Sequence, residues 1–228
     1  DAPEDKKKVT IFNLLTHTSG IEPYVSIVDK TPFPEKVVET ILNLELAFPA
    51  GQDVGYSCLG FIVLGKILEL VGGATLDSLS QKYVFEPLEM KNITFRPKGD
   101  NIAATDYDRQ KGCSRKGIVN DRNSRFLGGI AGNAGVFSNL DDLSNFALIL
   151  ANMGRYKGRQ YLSSAMFAKA IKNWTPHLDQ ARGLGFLITD TRVNPPGELF
   201  SAGSYGHTGY TGTSVFIDKD TGLYVILL

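Results

Sequence analysis

Apolar residues recur at helical spacing through the first half of the chain and gather in short strand-like runs through the second. Thr10 is placed to cap a short helix through Leu15, and Gly20 to close the turn after it. Pro32 and Pro34 precede a helical pattern, Val37, Val38, Ile41 and Leu42, which ends before Pro49. Ser57 or Tyr56 opens the strongest helix. Its apolar residues, from Leu59 through Ile62 and Ile67 to Val71, surround most of the circumference, so the pattern predicts burial on nearly all sides. Gly72 and Gly73 end it, and Thr75 caps a further helix to about Tyr83. From Lys91 to Leu127 the chain is rich in Lys, Arg, Asp, Asn and Gly. It reads as a long loop with one strand at Asn92 to Arg96.

The small-residue run Gly128 to Gly135 leads into a strand-like Val136-Phe137. Asn139, with Asp141 and Asp142, starts an amphipathic helix to Met153, and Ser163 or Ser164 starts another to Lys172. Strands are expected at Gly185 to Thr189, Thr213 to Ile217 and Leu223 to Leu228, the last two joined by a turn from Asp218 to Gly222. The expected division is a mainly helical region with a long loop, residues 1–135, and an α/β region, residues 136–228. The fold class is therefore mixed, α+β or α/β, with helices flanking an incomplete antiparallel sheet.

Composition narrows the function classes. Lys+Arg and Asp+Glu both number 24, and zero net charge argues against nucleic acid or an anionic membrane as partner. The two cysteines, Cys58 and Cys113, give no disulfide framework, and the three histidines, His17, His177 and His207, show no metal-ligand spacing. No metal and no cofactor is expected. The apolar run from Leu59 to Val71 is broken by Gly60, Gly65, Lys66 and Glu69 and is too short to span a bilayer. Asp1 and the charged stretch to Lys8 carry no signal-peptide pattern and read as a cut point or a surface loop. Gly60 to Ile67 imitates a P-loop, but Ile67 stands where Ser or Thr must hold magnesium, so the glycines are read as helix-packing residues. The chain has no G-x-S-x-G elbow, which excludes an ordinary α/β-hydrolase.

Three segments carry the candidate chemistry. Tyr205 to Thr213 surrounds His207 with glycine and hydroxyl residues beside a strand. Tyr56-Ser57-Cys58 lies where a loop meets the apolar helix. Leu15-Thr16-His17-Thr18-Ser19-Gly20 precedes both. Together they resemble the penicillin-recognising serine hydrolases: class C β-lactamases, low-molecular-weight penicillin-binding proteins and related esterases. That family orders its motifs as S-x-x-K, then a Y-x-N-type element, then K-T-G or H-x-G. The chain shows the second and third in that order. No serine has a lysine three positions on.

The resemblance implies a β-lactamase-like fold and acyl transfer through a serine ester. The substrate class is a β-lactam, an ester or a D-amino-acid peptide of cell-wall type. It implies Tyr56 as general base or the base's partner, and His207 as the donor side chain that assists it. It further implies Cys58, Thr208, Gly209 and Tyr210 around the substrate, the backbone N–H of Tyr210 being an oxyanion donor. Cys58 departs from the pattern, which has Asn or Asp there, because a thiol cannot replace an amide's two donors and one acceptor. His17 is expected to be architectural, tying the helix end to neighbouring backbone. The nucleophile is expected before Asp1, leaving this chain inactive alone. The alternative is a non-catalytic ligand-binding or sensor domain that kept the cleft. The resemblance also implies a location outside the cytoplasm. The apolar last strand predicts self-association through its free edge.

Overall fold

Most helix starts follow the caps written in the sequence, though Thr75 precedes its helix without a side-chain cap bond. The computed structural model describes residues 3–190 and 195–228, so Asp1 lies outside the described residues. In α1 (Ile11–Leu15) the Thr10 hydroxyl accepts from Asn13 N–H while the Asn13 carbonyl accepts from Thr10 N–H, a reciprocal cap. α2 (Val37–Leu42) follows a 3-10 turn that opens on Pro34. α3 (Cys58–Gly72) starts at Ser57, whose hydroxyl accepts from Gly60 N–H at 2.9 Å, and ends on Gly73 at φ 64. α4 (Leu76–Ser80) runs into a wider π-type turn, Gln81–Phe85. α5 (Arg122–Phe126), α6 (Leu140–Ala151) and α7 (Ser164–Ala170) are capped by the side chains of Asp121, Asn139 and Ser163.

The strands form three antiparallel groups. β1 (Ala104–Asp108) pairs with β2 (Cys113–Lys116), and β3 (Arg155–Tyr156) with β4 (Arg159–Gln160). The main sheet has the order β5 (Leu187–Ile188), β6 (Tyr205–Thr208), β7 (Ser214–Ile217), β8 (Tyr224–Leu227). Its register sets His207 opposite Val215 and Gly206 opposite Phe216. Tyr205, Ile217 and Ile188 face α6 and α7 in one apolar cluster, and the Tyr205 hydroxyl donates to Leu150 O at 3.0 Å. A second cluster joins Leu14, Ile41, Leu59 and Ile62 of the helical half to Ala131. A third joins Phe85 and Phe95 to Tyr156, drawing on residues from both sides of position 135.

Three expectations change. Asn92 to Arg96 is not a strand: Thr94 makes one isolated bridge with Phe137, and the chain opposite turns at once into the Asn139 cap of α6. The long loop from Lys91 to Leu127 contains the β1–β2 hairpin and α5. Both strands of that hairpin are exposed on most positions, so no apolar alternation marks them, and Arg115 pairs with Asp106 across it at 3.0 Å. α3 is buried only over its first turns. Leu59, Ile62 and Val63 are in the core, whereas Leu70 is 73% and Val71 84% exposed and neither belongs to the cluster. Among the described residues no single helix is long and apolar enough to cross a membrane.

The glycines of α3 serve packing, as expected. A side chain on Gly65 would press on the backbone of Gly132, and one on Gly132 would strike the Phe61 carbonyl. The small-residue run from Gly128 is thereby laid directly against the helix that begins beside Tyr56.

Candidate active site

The loop after α1 is the clamp that places Tyr56. His17 sits at φ 56, in the left-handed region that non-glycine residues seldom occupy. From there its carbonyl accepts from Gly55 N–H at 2.9 Å, and its ring Nδ1 accepts from Ser57 N–H at 3.0 Å. Thr18 O takes Gly51 N–H and Gly20 O takes Ala47 N–H, so the segment from 47 to 57 is tied to the loop along its length. Ser57 also donates its hydroxyl to Glu22 O, and Cys58 N–H donates to Pro23 O. The His17 ring lies between Tyr56 and Phe61, with centroids 4.6 and 4.8 Å away. Burial first, then the Arg182 charge and His207, lower the His17 pKa to about 3, so the ring is neutral. The expected architectural role of His17 matches these contacts.

The sheet brings the other half. His207 stands on β6 with its ring centroid 5.7 Å from that of Tyr56. Its Nδ1 is 2.8 Å from Thr208 O, and its Nε2 is 3.5 Å from a terminal nitrogen of Arg182. Burial is the main cause that lowers the His207 pKa; Arg182 lowers it further and the Thr208 carbonyl opposes both. Gly209 opens the turn after β6, where a side chain would collide with the Thr213 hydroxyl. Thr208 and Gly209 are exposed, and Tyr210 projects from the turn at 96% exposure.

Two residues that the sequence did not single out complete the group. Arg182 is only 4% exposed. It lies on a bridge to Leu187, which pairs with Gly206 beside His207. Thr175 and Trp174 hold its backbone, and its side chain donates to Gln180 at 2.6 Å. The guanidinium lies 5.7 Å from the Tyr56 ring centroid, and its Nε–H is buried without an acceptor. Asn133 is the second. Its carbonyl accepts from the Ser124 hydroxyl at 2.9 Å, while its buried Nδ2 is left to the Cys58 thiol. No pattern marks Arg182, whereas Asn133 lies inside the small-residue run from Gly128.

Tyr56 is 42% exposed, but partial burial, reinforced by the neighbouring Cys58 thiol, pushes its phenol up to about 12; Arg182 acts in the opposite sense. Burial and the Asp121 charge push the Cys58 thiol up as well, while Tyr56 and Asn133 lower it. Tyr56, Cys58 and His207 are thus brought together, with Thr208 and Gly209 continuing from the strand. At neutral pH the site holds a protonated phenol, two neutral imidazoles and one guanidinium. A Gly185 N–H to Leu15 O bond of 2.9 Å ties the two halves beside it. Among the described residues no cluster of His, Cys, Asp or Glu could hold a metal ion.

A family model described as Beta-lactamase matches residues 1–228. A protein of Escherichia coli O157:H7 named "Putative D-alanyl-D-alanine carboxypeptidase" is 28% identical over 263 residues, covering 100% of this chain and 59% of its own length. A penicillin binding protein from Bacillus halodurans superposes with TM-score 0.73 at 20% identity, covering 99% of this chain and 68% of that one. A β-lactamase from Mycobacterium bovis gives TM-score 0.66 at 21% identity, with 95% and 64% covered. The chain therefore spans about three-fifths of the curated relative, and the structural likeness establishes the β-lactamase-like fold.

Proposed function

This chain belongs to the Beta-lactamase family, and we propose that it carries the tyrosine and histidine-threonine-glycine side of a serine acyl-transfer site. The observation that carries the reading is the meeting of Tyr56 and His207, far apart in sequence, over one buried arginine. One buried donor without an acceptor, Arg182 Nε, marks where an acceptor group of a substrate would settle. The name of the E. coli relative favours a D-alanyl peptide as substrate, with β-lactams and esters as analogues of the same acyl group.

Tyr56 acts as proton relay between nucleophile and leaving group. Its raised pKa keeps it a phenol at rest and a weak acid, so it serves as a base only once a further cation stabilises the phenolate, which then takes the nucleophile's proton and passes it to the leaving group. Thr208 and Gly209 border the substrate, and the exposed Tyr210 turn offers backbone N–H to the oxyanion. The serine and lysine come from residues beyond these 228, and the site works outside the cytoplasm. The chain by itself forms no stable acyl-enzyme, because no serine has a lysine three positions on. Incubation with a labelled penicillin, read by intact mass, is expected to give no adduct, while a longer protein carrying S-x-x-K gives one. A stoichiometric adduct on a serine of the 228-residue chain overturns this. One observation favours a second reading as a non-catalytic binding domain: Cys58 replaces the amide and raises the Tyr56 pKa. Failure of the longer protein to acylate would select it.

A further inference from the structure

His207 has both ring nitrogens assigned by partners of fixed character. Thr208 O can only accept, so Nδ1 carries the proton. Arg182 can only donate, so Nε2, at 3.5 Å, presents its lone pair. That leaves one neutral tautomer. The groups facing this ring are Arg182 from the bridge beside β5, Tyr56 from the start of α3 and His17 from the loop after α1. None of them is a carboxylate, and no carboxylate pairs with His207 or Arg182 among the described residues. A guanidinium so deeply buried without a carboxylate partner is costly, so its place beside His207 calls for a role.

We propose that Arg182 is a positioning residue of this site: it fixes His207 as a neutral imidazole with Nε2 turned toward the guanidinium as acceptor, and Arg182, not His207, is the site's cation. The proposal rests on the reading that Tyr56 and His207 form one acyl-transfer site, and it reassigns the charge within it. In the K-T-G form of the strand motif a lysine would bring positive charge on β6 itself. Here the strand carries an imidazole that the guanidinium keeps uncharged, and the charge reaches the Tyr56 ring from the neighbouring bridge. The sign of the site is then independent of pH near neutrality, because an arginine does not titrate there.

The test is nitrogen-resolved NMR of the intact 228-residue chain with labelled histidine, titrated from about pH 5 to about pH 8. The expected wild-type result is a His207 ring protonated on Nδ1 alone at neutral pH. Arg182→Met keeps an unbranched stem but removes donor and charge. The expected result is mixing of tautomers and a rise in the His207 midpoint of about half a pH unit or more. Arg182→Lys is expected to restore the low midpoint. His17 is the fold control, because its buried neutral signature survives only in a folded chain. A wild-type His207 protonated on Nε2, or charged at pH 7, overturns the proposal even if the methionine variant does not fold. So does an unmoved midpoint in a folded Arg182→Met. None of these signals requires turnover, so failure of the hydrolase reading would leave them intact.

Discussion

The two halves of the site each contain one imidazole and use it oppositely. On the helical side, His17 turns Nδ1 inward to accept from Ser57 N–H, leaving the proton on Nε2. Its ring is 4% exposed and it serves the backbone. On the sheet side, His207 turns Nδ1 to its neighbour's carbonyl and presents Nε2 to Arg182. The clamp on Tyr56 is made of backbone bonds around a left-handed residue, whereas His207 is placed by strand register with side-chain partners. Backbone bonds give a precise position at the expense of adaptability, and side-chain partners leave a group free to exchange them with a ligand.

The largest test of that contrast is Tyr56→Phe in the longer protein. Turnover of a p-nitrophenyl ester is expected to fall by about 10²–10⁴-fold, as for loss of a proton relay. The unfolding midpoint should scarcely move, because the ring still packs on His17. Turnover within about threefold of wild type, less than ~1 kcal/mol, would make Tyr56 part of the clamp only.

His17→Ala and His207→Ala separate the two imidazoles by stability. Removing His17 leaves the Ser57 N–H buried and unpaired and opens a cavity. Urea unfolding should show a loss of about 2–3 kcal/mol. His207→Ala should cost less than about 1 kcal/mol, since its ring is only half-buried. Equal losses would erase the distinction.

The pH dependence follows from the lowered His17 pKa. The folded ring stays neutral down to about pH 3, while the unfolded ring takes a proton below its ordinary value of 6.5. The unfolded state therefore binds more protons in that window, and stability falls as pH falls from 6.5 towards 3. The slope is at most about 1.4 kcal/mol per pH unit from this one group. Urea midpoints for wild type and His17→Gln should converge at acid pH, and parallel curves would contradict the assignment. A modest effect is expected of Ser57→Ala, about 1 kcal/mol from loss of the α3 cap. The same hydroxyl donates to Glu22 O, which adds to the loss, and thermal unfolding measures it.

Self-association through β8 is a separate expectation from the same sheet. β8 ends the strand order with one neighbour, and Val225, Leu227 and Leu228 are exposed. Sedimentation velocity across a concentration series should show dimer or larger species, and a single monomer at high concentration would mean the edge does not pair.

The sequence was legible where local chemistry decides structure. Thr10, Ser57, Asn139 and Ser163 cap helices, and their side chains are made for that purpose. Tyr56 and His207 stand out because their neighbours form motifs, and the structure brings their rings within 5.7 Å. Arg182 does not stand out, since a lone arginine between Ala181 and Gly183 looks like a solvated loop residue until the bridge to Leu187 buries it. Asn133 was hidden by the glycines around it. The β1–β2 hairpin went unread because both its faces meet solvent, so no core selects an apolar register. The exposed end of α3 shows the reverse case, an apolar surface that local pattern alone assigns to an interior.

The bond from Gly185 N–H to Leu15 O also bears on the order of assembly. It joins the first helix to a segment near the end of the chain, as Arg182 joins Tyr56. Contacts of such long sequence separation form late, because loop closure precedes any gain from them. On a ribosome the clamp around Tyr56 can close as soon as α3 emerges, while the guanidinium that faces it is still unmade. The nascent chain thus holds an ordered tyrosine before Arg182 is made, and that guanidinium joins it only when the bridge to β5 forms.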